Sequence, residues 1–278
     1  MAGTRTDGPQ TRSLRPVMPT ITGASSFAAR PLLHALLRRQ PQRLLLCDEL
    51  DAVADLQSQL LQWCEQQGIK TDLQWCCLEL QAALPQLPAR QWLIHGNNVR
   101  AEEILQSSSS TAVRRNIVAT QQLLDALPAG GVPLVLLSSH LAARRQGVAG
   151  STLAAAEALV AHWAACHPHC PVQVWRLPPA FDPKPSAPDP ASAWLREQLA
   201  EQFIDQLVSS SPHGEGQQLI AADPAPAGDQ LLSSQPLSDA VTLPAQSIDS
   251  WLASARIAEP LARYDNQAML ATLGELWA

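Results

Sequence analysis

Apolar residues along this chain fall into short runs that alternate with longer helical patterns. The runs Thr20–Thr22, Arg43–Cys47, Leu73–Cys77, Trp92–His95, Pro133–Ser138 and Val172–Leu177 have the length and character of strands. Between them, apolar positions recur at helical spacing over Ala28–Arg39, Ala52–Gln67, Thr111–Leu127 and Ser151–Cys166. Parallel strands need crossovers of this kind, and the helices then cover both faces of the sheet. The pattern therefore predicts an α/β fold, a doubly wound parallel sheet, over residues 17–182.

The periodicity breaks at Pro178, where six prolines fall within 13 residues up to Pro190. Such a stretch is a loop or linker. Beyond it the pattern predicts a helix at Ala191–Ser209, a strand at Gln217–Ala222 and a second Pro-rich stretch. Two terminal helices follow within Ser247–Trp277, where Trp251, Leu252, Ile257, Leu261, Met269, Leu270 and Leu273 keep helical spacing. Residues 183–278 thus read as a reduced, mainly helical C-terminal subdomain. Residues 1–16 are polar, carry scattered arginines and read as a disordered lead. Nothing repeats internally.

Composition narrows the function classes. Hydrophobic residues make up 46% of 278, enough for a large core, while charged residues make up 16% and the net charge is −6. An acidic chain without basic clusters is a poor partner for nucleic acid. Apolar runs such as Val132 to Leu137 are too short to span a bilayer. With no apolar leader, the expected location is the cytoplasm. The cysteines, Cys47, Cys64, Cys76, Cys77, Cys166 and Cys170, then read as small buried side chains. Cys166-His167-Pro168-His169-Cys170 has ligand-type residues but no second ligand set, so it reads as a helix end and turn, with no metal expected.

Candidate chemistry begins at the first strand. Thr22-Gly23-Ala24-Ser25-Ser26-Phe27-Ala28-Ala29 joins a strand to a helix through a glycine, and Asp48 ends the second strand 25 residues after Gly23. That is the spacing of a Rossmann-like dinucleotide fold, with phosphate at the helix N-terminus and ribose on the acid. Ser26 and Ala29 stand where further glycines would be, and their Cβ atoms narrow the approach of a phosphate.

Four stretches carry a more specific resemblance. They are the turn at Gly23, the strand Arg43-Leu-Leu-Leu-Cys-Asp48, the segment from His95-Gly-Asn-Asn to Ala126, and the segment from Val135 to Glu157. In these the chain resembles the extended short-chain dehydrogenase/reductase group that handles nucleotide sugars. Within it, the chain looks closest to the polysaccharide-biosynthesis (CapD-like) branch of UDP-N-acetylglucosamine 4,6-dehydratases and epimerases. The family's L-E-A-V-R-T-N-V-L-G-T and V-L-I-S-T-D-K-A-V-N-P-T-N-V-M-G-A-T-K run in register with it. The resemblance implies a cofactor site at Gly23, Ser25, Ser26, Phe27, Asp48, Glu79, Leu80, Asn97 and Asn116. Glu79 stands where the family has an adenine-contacting acid, and Asn116 stands on the family asparagine. Asp48 favours NAD over NADP, because a carboxylate accepts the ribose 2′-hydroxyl and repels a 2′-phosphate.

The same alignment removes the reaction. The family's Asp-Lys pair falls on His140 and Leu141, its tyrosine position on Ala149 and its lysine on Leu153. The whole chain has one tyrosine, Tyr264, and two lysines, Lys70 and Lys184. Leucine and alanine transfer no proton. The strand Val174-Trp-Arg176 keeps the family arginine, but prolines replace the Gly-Asn that follows, and the segment bearing sugar contacts is cut down.

Three readings follow. The first is a catalytically silent protein that senses a nucleotide or nucleotide sugar, or binds a protein, in surface-polysaccharide production. The second is an NAD(P)-dependent enzyme with relocated groups around His140, its imidazole the acid/base. The third is a ligand-free structural subunit. Ser138, Ser139 and His140 read as a polar strand end, since no G-x-S-x-G turn exists for a hydrolase. Arg100, Arg114 and Arg115 read as solvated or paired. Trp163, Trp175, Trp194, Trp251 and Trp277 serve the core or anchor a partner through the C-terminal half. The resemblance also carries an expectation of self-association.

Overall fold

In the computed structural model, residues 19–48, 50–77, 91–96, 109–145, 147–181, 190–210, 216–222 and 232–237 are described. The N-terminal lead, Glu79, Leu80, Asn97, Arg100, and the C-terminal helices expected within Ser247–Trp277 lie outside these residues.

The strands are β1 (Thr20–Thr22), β2 (Arg43–Asp48), β3 (Asp72–Cys77), β4 (Leu93–His95), β5 (Leu134–Ser139), β6 (Val172–Leu177), β7 (Gln217–Ala222) and β8 (Leu232–Pro236). They form one sheet in the order β3-β2-β1-β4-β5-β6-β7-β8. Every pairing is parallel except β7 with β8. The first six strands match their expected positions to within a residue. β8 had no counterpart in the pattern, because its residues Leu-Ser-Ser-Gln-Pro are mostly exposed and carry no apolar alternation.

The helices are α1 (Ala29–Arg38), α2 (Leu50–Gln67), α3, α4 (His140–Arg144), α5 (Gly147–Cys166) and α6 (Pro190–Ser209). Helix α3 runs through Ser109–Ala112, a π-helical Val113–Val118 and Ala119–Ala126. Leucines of α1 and α6, with Leu56 and Leu60 of α2, pack on one face of the sheet against Ile21, Leu44, Leu46, Leu137 and Trp175. Val113, Ile117 and Leu124 of α3 pack on the other face with Ala156, Leu159 and Val160 of α5. All six residues of β5 are buried, as a central strand covered on both faces requires.

Two departures from the periodic pattern have local causes. The connection after β5 is a short helix, α4, because Ser139 Oγ accepts the Leu141 N–H and caps it. Arg145 ends α4 in the left-handed region at φ 48°. Helix α5 then begins at Gly147 rather than Ser151. Its Gly150 lies so close to α4 that a Cβ there would come 2.5 Å from the Leu141 carbonyl oxygen.

The described residues after 182 join the same sheet and core. Phe203 of α6 is fully buried, tilted against Trp175 at 4.9 Å and edge-on to Phe181 at 6.4 Å between ring centroids. Arg38 at the end of α1 and Arg39 just beyond it pair with Glu201 and Asp205 of α6 at the surface. We expect Phe203→Ala to cost about 3–5 kcal/mol. In denaturant unfolding the loss should appear in the single main transition. A main transition left unchanged would mean that α6 folds as a separate unit.

Candidate functional site

The strand order reverses between β1 and β4, so crossovers leave in opposite directions from this point. In open α/β sheets the ligand crevice lies there, outside the carboxyl ends of the strands. Thr22 ends β1 and Gly23 follows; His95 ends β4 and Gly96 follows.

Gly23 takes φ 67°, a conformation that L side chains rarely adopt, and its N–H donates to the Cys47 carbonyl at 2.9 Å. The Ser25 N–H donates to Asp48 Oδ2 at 2.6 Å, so the acid at the end of β2 braces the turn. Ser26 Oγ accepts the Ala29 N–H at 3.2 Å at the start of α1. Among the described residues no acceptor takes the N–H groups of Phe27 and Ala28. The half-buried Phe27 ring lies 5.0 Å from the Arg196 guanidinium of α6. Gly96 sits where an added Cβ would meet the Thr22 carbonyl oxygen at 3.2 Å and Leu137 Cδ1 at 3.0 Å.

These residues fit the phosphate and ribose end of a dinucleotide. The turn keeps its left-handed glycine and presents backbone donors at a helix start. The carboxylate at the end of β2 stands beside this turn, where a ribose-binding acid would. The turn and Asp48 are therefore brought together as the spacing predicted. Asn116 is placed elsewhere, on α3.

His95 ties the crevice floor together. Its Nδ1 is 2.7 Å from Thr22 Oγ1, and its Nε2 is 3.1 Å from Thr120 Oγ1. Thr120 donates its own hydroxyl proton to the Asn116 carbonyl at 2.7 Å, within the π-helical turn. Thr120 Oγ1 must then accept from His95 Nε2–H, and Thr22 must donate to Nδ1. The ring is neutral in one tautomer, and burial holds its pKa down to about 4. The chain of bonds continues from Asn116 Nδ2 to Thr152 Oγ1 at 2.9 Å, and Thr152 donates to the Val148 carbonyl. One residue on, Leu153 is 1% exposed, and Ala149 is 4% exposed. Both positions, which the sequence resemblance aligns with a lysine and a tyrosine, are thus packed into the interior with apolar side chains.

A second buried polar group lies at the ends of β5 and β6. Arg176 forms a two-pronged ion pair with Glu157, Nε to Oε1 at 2.9 Å and Nη2 to Oε2 at 2.6 Å. Ser138 donates to Glu157 Oε1 at 2.6 Å. Glu157 and Arg176 both lie in the stretches of family likeness, but no spacing rule announced that they would meet. Ser139 Oγ is 3.3 Å from His140 Nδ1 and also caps α4, so its hydroxyl has a structural task. Arg114 is exposed and Arg115 half-buried. In the Cys-His cluster, Cys170 Sγ approaches the Gly130 carbonyl and the His167 ring stacks on Trp163. No group of three metal-ligating side chains converges among the described residues, nor is any of their helices long and apolar enough to cross a membrane.

No protein-family model matches the sequence, and no curated protein matches it. Solved structures match it in fold. Pen from Bacillus thuringiensis superposes with a TM-score of 0.54 at 12% identity, over 81% of this chain and 72% of that one. A UDP-glucuronic acid 4-epimerase from Bacillus cereus, solved with NAD, gives 0.52 at 13% identity over 80% and 79%. A carbonyl reductase from Pseudomonas aeruginosa, solved with NADP, gives 0.51 at 19% identity over 73% and 96%. The chain has the Rossmann-like fold of short-chain dehydrogenase/reductase structures. At these identities the likeness establishes the fold and nothing finer.

Two measurements probe this site. The folded His95 stays neutral down to a pKa of about 4, whereas the unfolded imidazole protonates below its ordinary 6.5. Stability is therefore fully present above pH 6.5 and declines as pH falls toward 4, by about 3 kcal/mol from this group. Denaturation midpoints across that range should show the decline, and a His95→Gln variant should lack most of it. Leu153→Lys should destabilise the fold by several kcal/mol, because it buries an unpaired ammonium. A variant of unchanged stability would show that position 153 opens onto solvent or a ligand cavity.

Proposed function

We propose that this protein binds a dinucleotide or nucleotide sugar and performs no redox or dehydration chemistry on it. The observation that carries the reading is the contrast between the two sides of the crevice. On the β1–β2 side the left-handed Gly23, the backbone at the start of α1 and Asp48 lie together, which supports a phosphate and ribose cradle. On the α5 side, Ala149 and Leu153 occupy the positions of the acid and the lysine and are buried. Neither of these two side chains moves a proton to or from a sugar.

NAD is the preferred cofactor, since Asp48 would repel the 2′-phosphate of NADP. NAD, where bound, supplies hydride-transfer chemistry; this chain's part is to hold it. The resemblance to nucleotide-sugar dehydratases and epimerases of the polysaccharide-biosynthesis branch supports a role as a sensing or docking component of surface-polysaccharide production. Trp194, 63% exposed on α6, is a suitable anchor for a protein partner.

The test is a calorimetric titration with NAD⁺, NADH, NADP⁺ and UDP-N-acetylglucosamine, with Gly23→Trp as control and circular dichroism to confirm its folding. NAD⁺ should bind more tightly than NADP⁺, the control should abolish binding, and UDP-N-acetylglucosamine should not turn over. The half-buried His140 beside Ser139 favours one competing reading, an enzyme with a relocated acid/base. Turnover by the native chain that His140→Ala removes would establish that reading instead. No binding by any ligand would leave a structural scaffold.

A further inference from the structure

Three thiols gather at the carboxyl ends of β2 and β3, and the nucleotide reading uses none of them. In the parallel register Cys47 lies directly opposite Cys76, and Asp48 lies opposite Cys77. Directly opposed residues of parallel strands point to the same face, so the side chains of Cys47 and Cys76 are neighbours. Cys77, the next residue in the strand, points to the other face and cannot join them. Cys47 is fully buried, Cys76 half-buried and Cys77 exposed.

We infer that Cys47 and Cys76 form an oxidation site: a hydroperoxide converts this pair to a disulfide, which alters the nucleotide turn. The second clause rests on the function proposed above; the first does not. Adjacent strands lie about 4.8 Å apart, inside the Cα separation that a disulfide spans. The Cβ atoms of a bridged pair must approach to roughly 4 Å, so closing the bond draws the two strands together at this level. Among the described residues β3 is the edge strand of the sheet, with only β2 as its neighbour.

The reaction balances with one equivalent of peroxide. The half-buried Cys76 sulfur attacks a peroxide oxygen; an S–O bond forms, the O–O bond breaks, and Cys76 becomes a sulfenic acid with release of water or an alcohol. Cys47 sulfur then attacks Cys76 sulfur. The S–S bond forms, the S–O bond breaks, and the hydroxyl leaves as water with the Cys47 proton. Burial, then the neighbouring Cys76 thiol and Asp48, push the Cys47 thiol pKa well up, so Cys47 is the resolving partner rather than the first to react. The order matches the exposure of the two sulfurs.

The consequence for the site follows from two bonds already described. The Cys47 carbonyl accepts the Gly23 N–H, and the adjacent Asp48 carboxylate accepts the Ser25 N–H. Any displacement of the Cys47 backbone toward β3 is therefore passed to both ends of the phosphate turn.

The experiment treats the reduced native chain with hydrogen peroxide, then records intact mass and a peptide map after blocking free thiols. The expected product has lost two hydrogen atoms, contains a linked Cys47–Cys76 peptide, and regains free thiols with dithiothreitol. Cys77→Ser should form it as the native chain does, and Cys76→Ser should not. A Cys76–Cys77 link, or oxygen added at Cys76 or Cys77 with no cross-link, would overturn the inference. NAD⁺ titration of the oxidised and reduced forms reads the second clause, with a loss of affinity of about tenfold expected. Equal NAD⁺ affinity with the cross-link in place would refute the coupling alone. Absence of NAD⁺ binding in both forms would refute the proposed function and leave the cross-link result standing.

Discussion

A neutral imidazole holds together the place where the sheet changes direction. His95 lies between Thr22 at the end of β1 and Thr120 on α3, receiving a proton from one hydroxyl and giving its own to the other. Gly23 and Gly96 come directly after the two strand ends that this bridge joins. The bond directions are forced, because Thr120 spends its proton on the Asn116 carbonyl and a buried ring is costly to charge. The position of the phosphate turn relative to α3 and α5 thus depends on a hydrogen-bond chain that works only while it stays dry and neutral.

Farther along the sheet, buried polarity is handled by pairing. Glu157 is 1% exposed in a helix that is otherwise almost wholly apolar. It is tolerable there because Arg176 meets it with two donors and Ser138 adds a third. Removing either partner would strand a charge in the interior. Ser138 and Arg176, at the ends of β5 and β6, therefore have structural work in holding the Glu157 carboxylate.

In the proposed function, the two halves of the crevice differ in chemistry while sharing one frame. Holding a phosphate requires backbone donors, a tight turn and an acid for ribose, and these need only a few small residues in the right conformation. Moving a proton requires particular side chains at particular positions on α5, and the two positions that would carry them are alanine and leucine. In the proposed reading the first requirement survives modest substitution, such as Ser26 and Ala29 for glycine. The second does not.

Much of this was legible in the chain alone. Alternating apolar runs announced six parallel strands and their crossovers, because burial on both faces demands continuous apolar strands of limited length. The spacing of Gly23 and Asp48 predicted that the acid stands at the turn after β1, and the scarcity of tyrosine and lysine was a matter of composition. Tertiary structure decided what depends on contacts between distant residues. That His95 joins Thr22 and Thr120, that Glu157 meets Arg176, and that Cys47 faces Cys76 follow from strand order and register, which periodicity does not encode. It also decided the π-helical turn at Asn116 and the short helix after β5, each set by single hydroxyls, Thr120 and Ser139, that found backbone partners. The edge strand β8 was invisible for the same reason: its polar residues gain strand structure only from the neighbour they pair with.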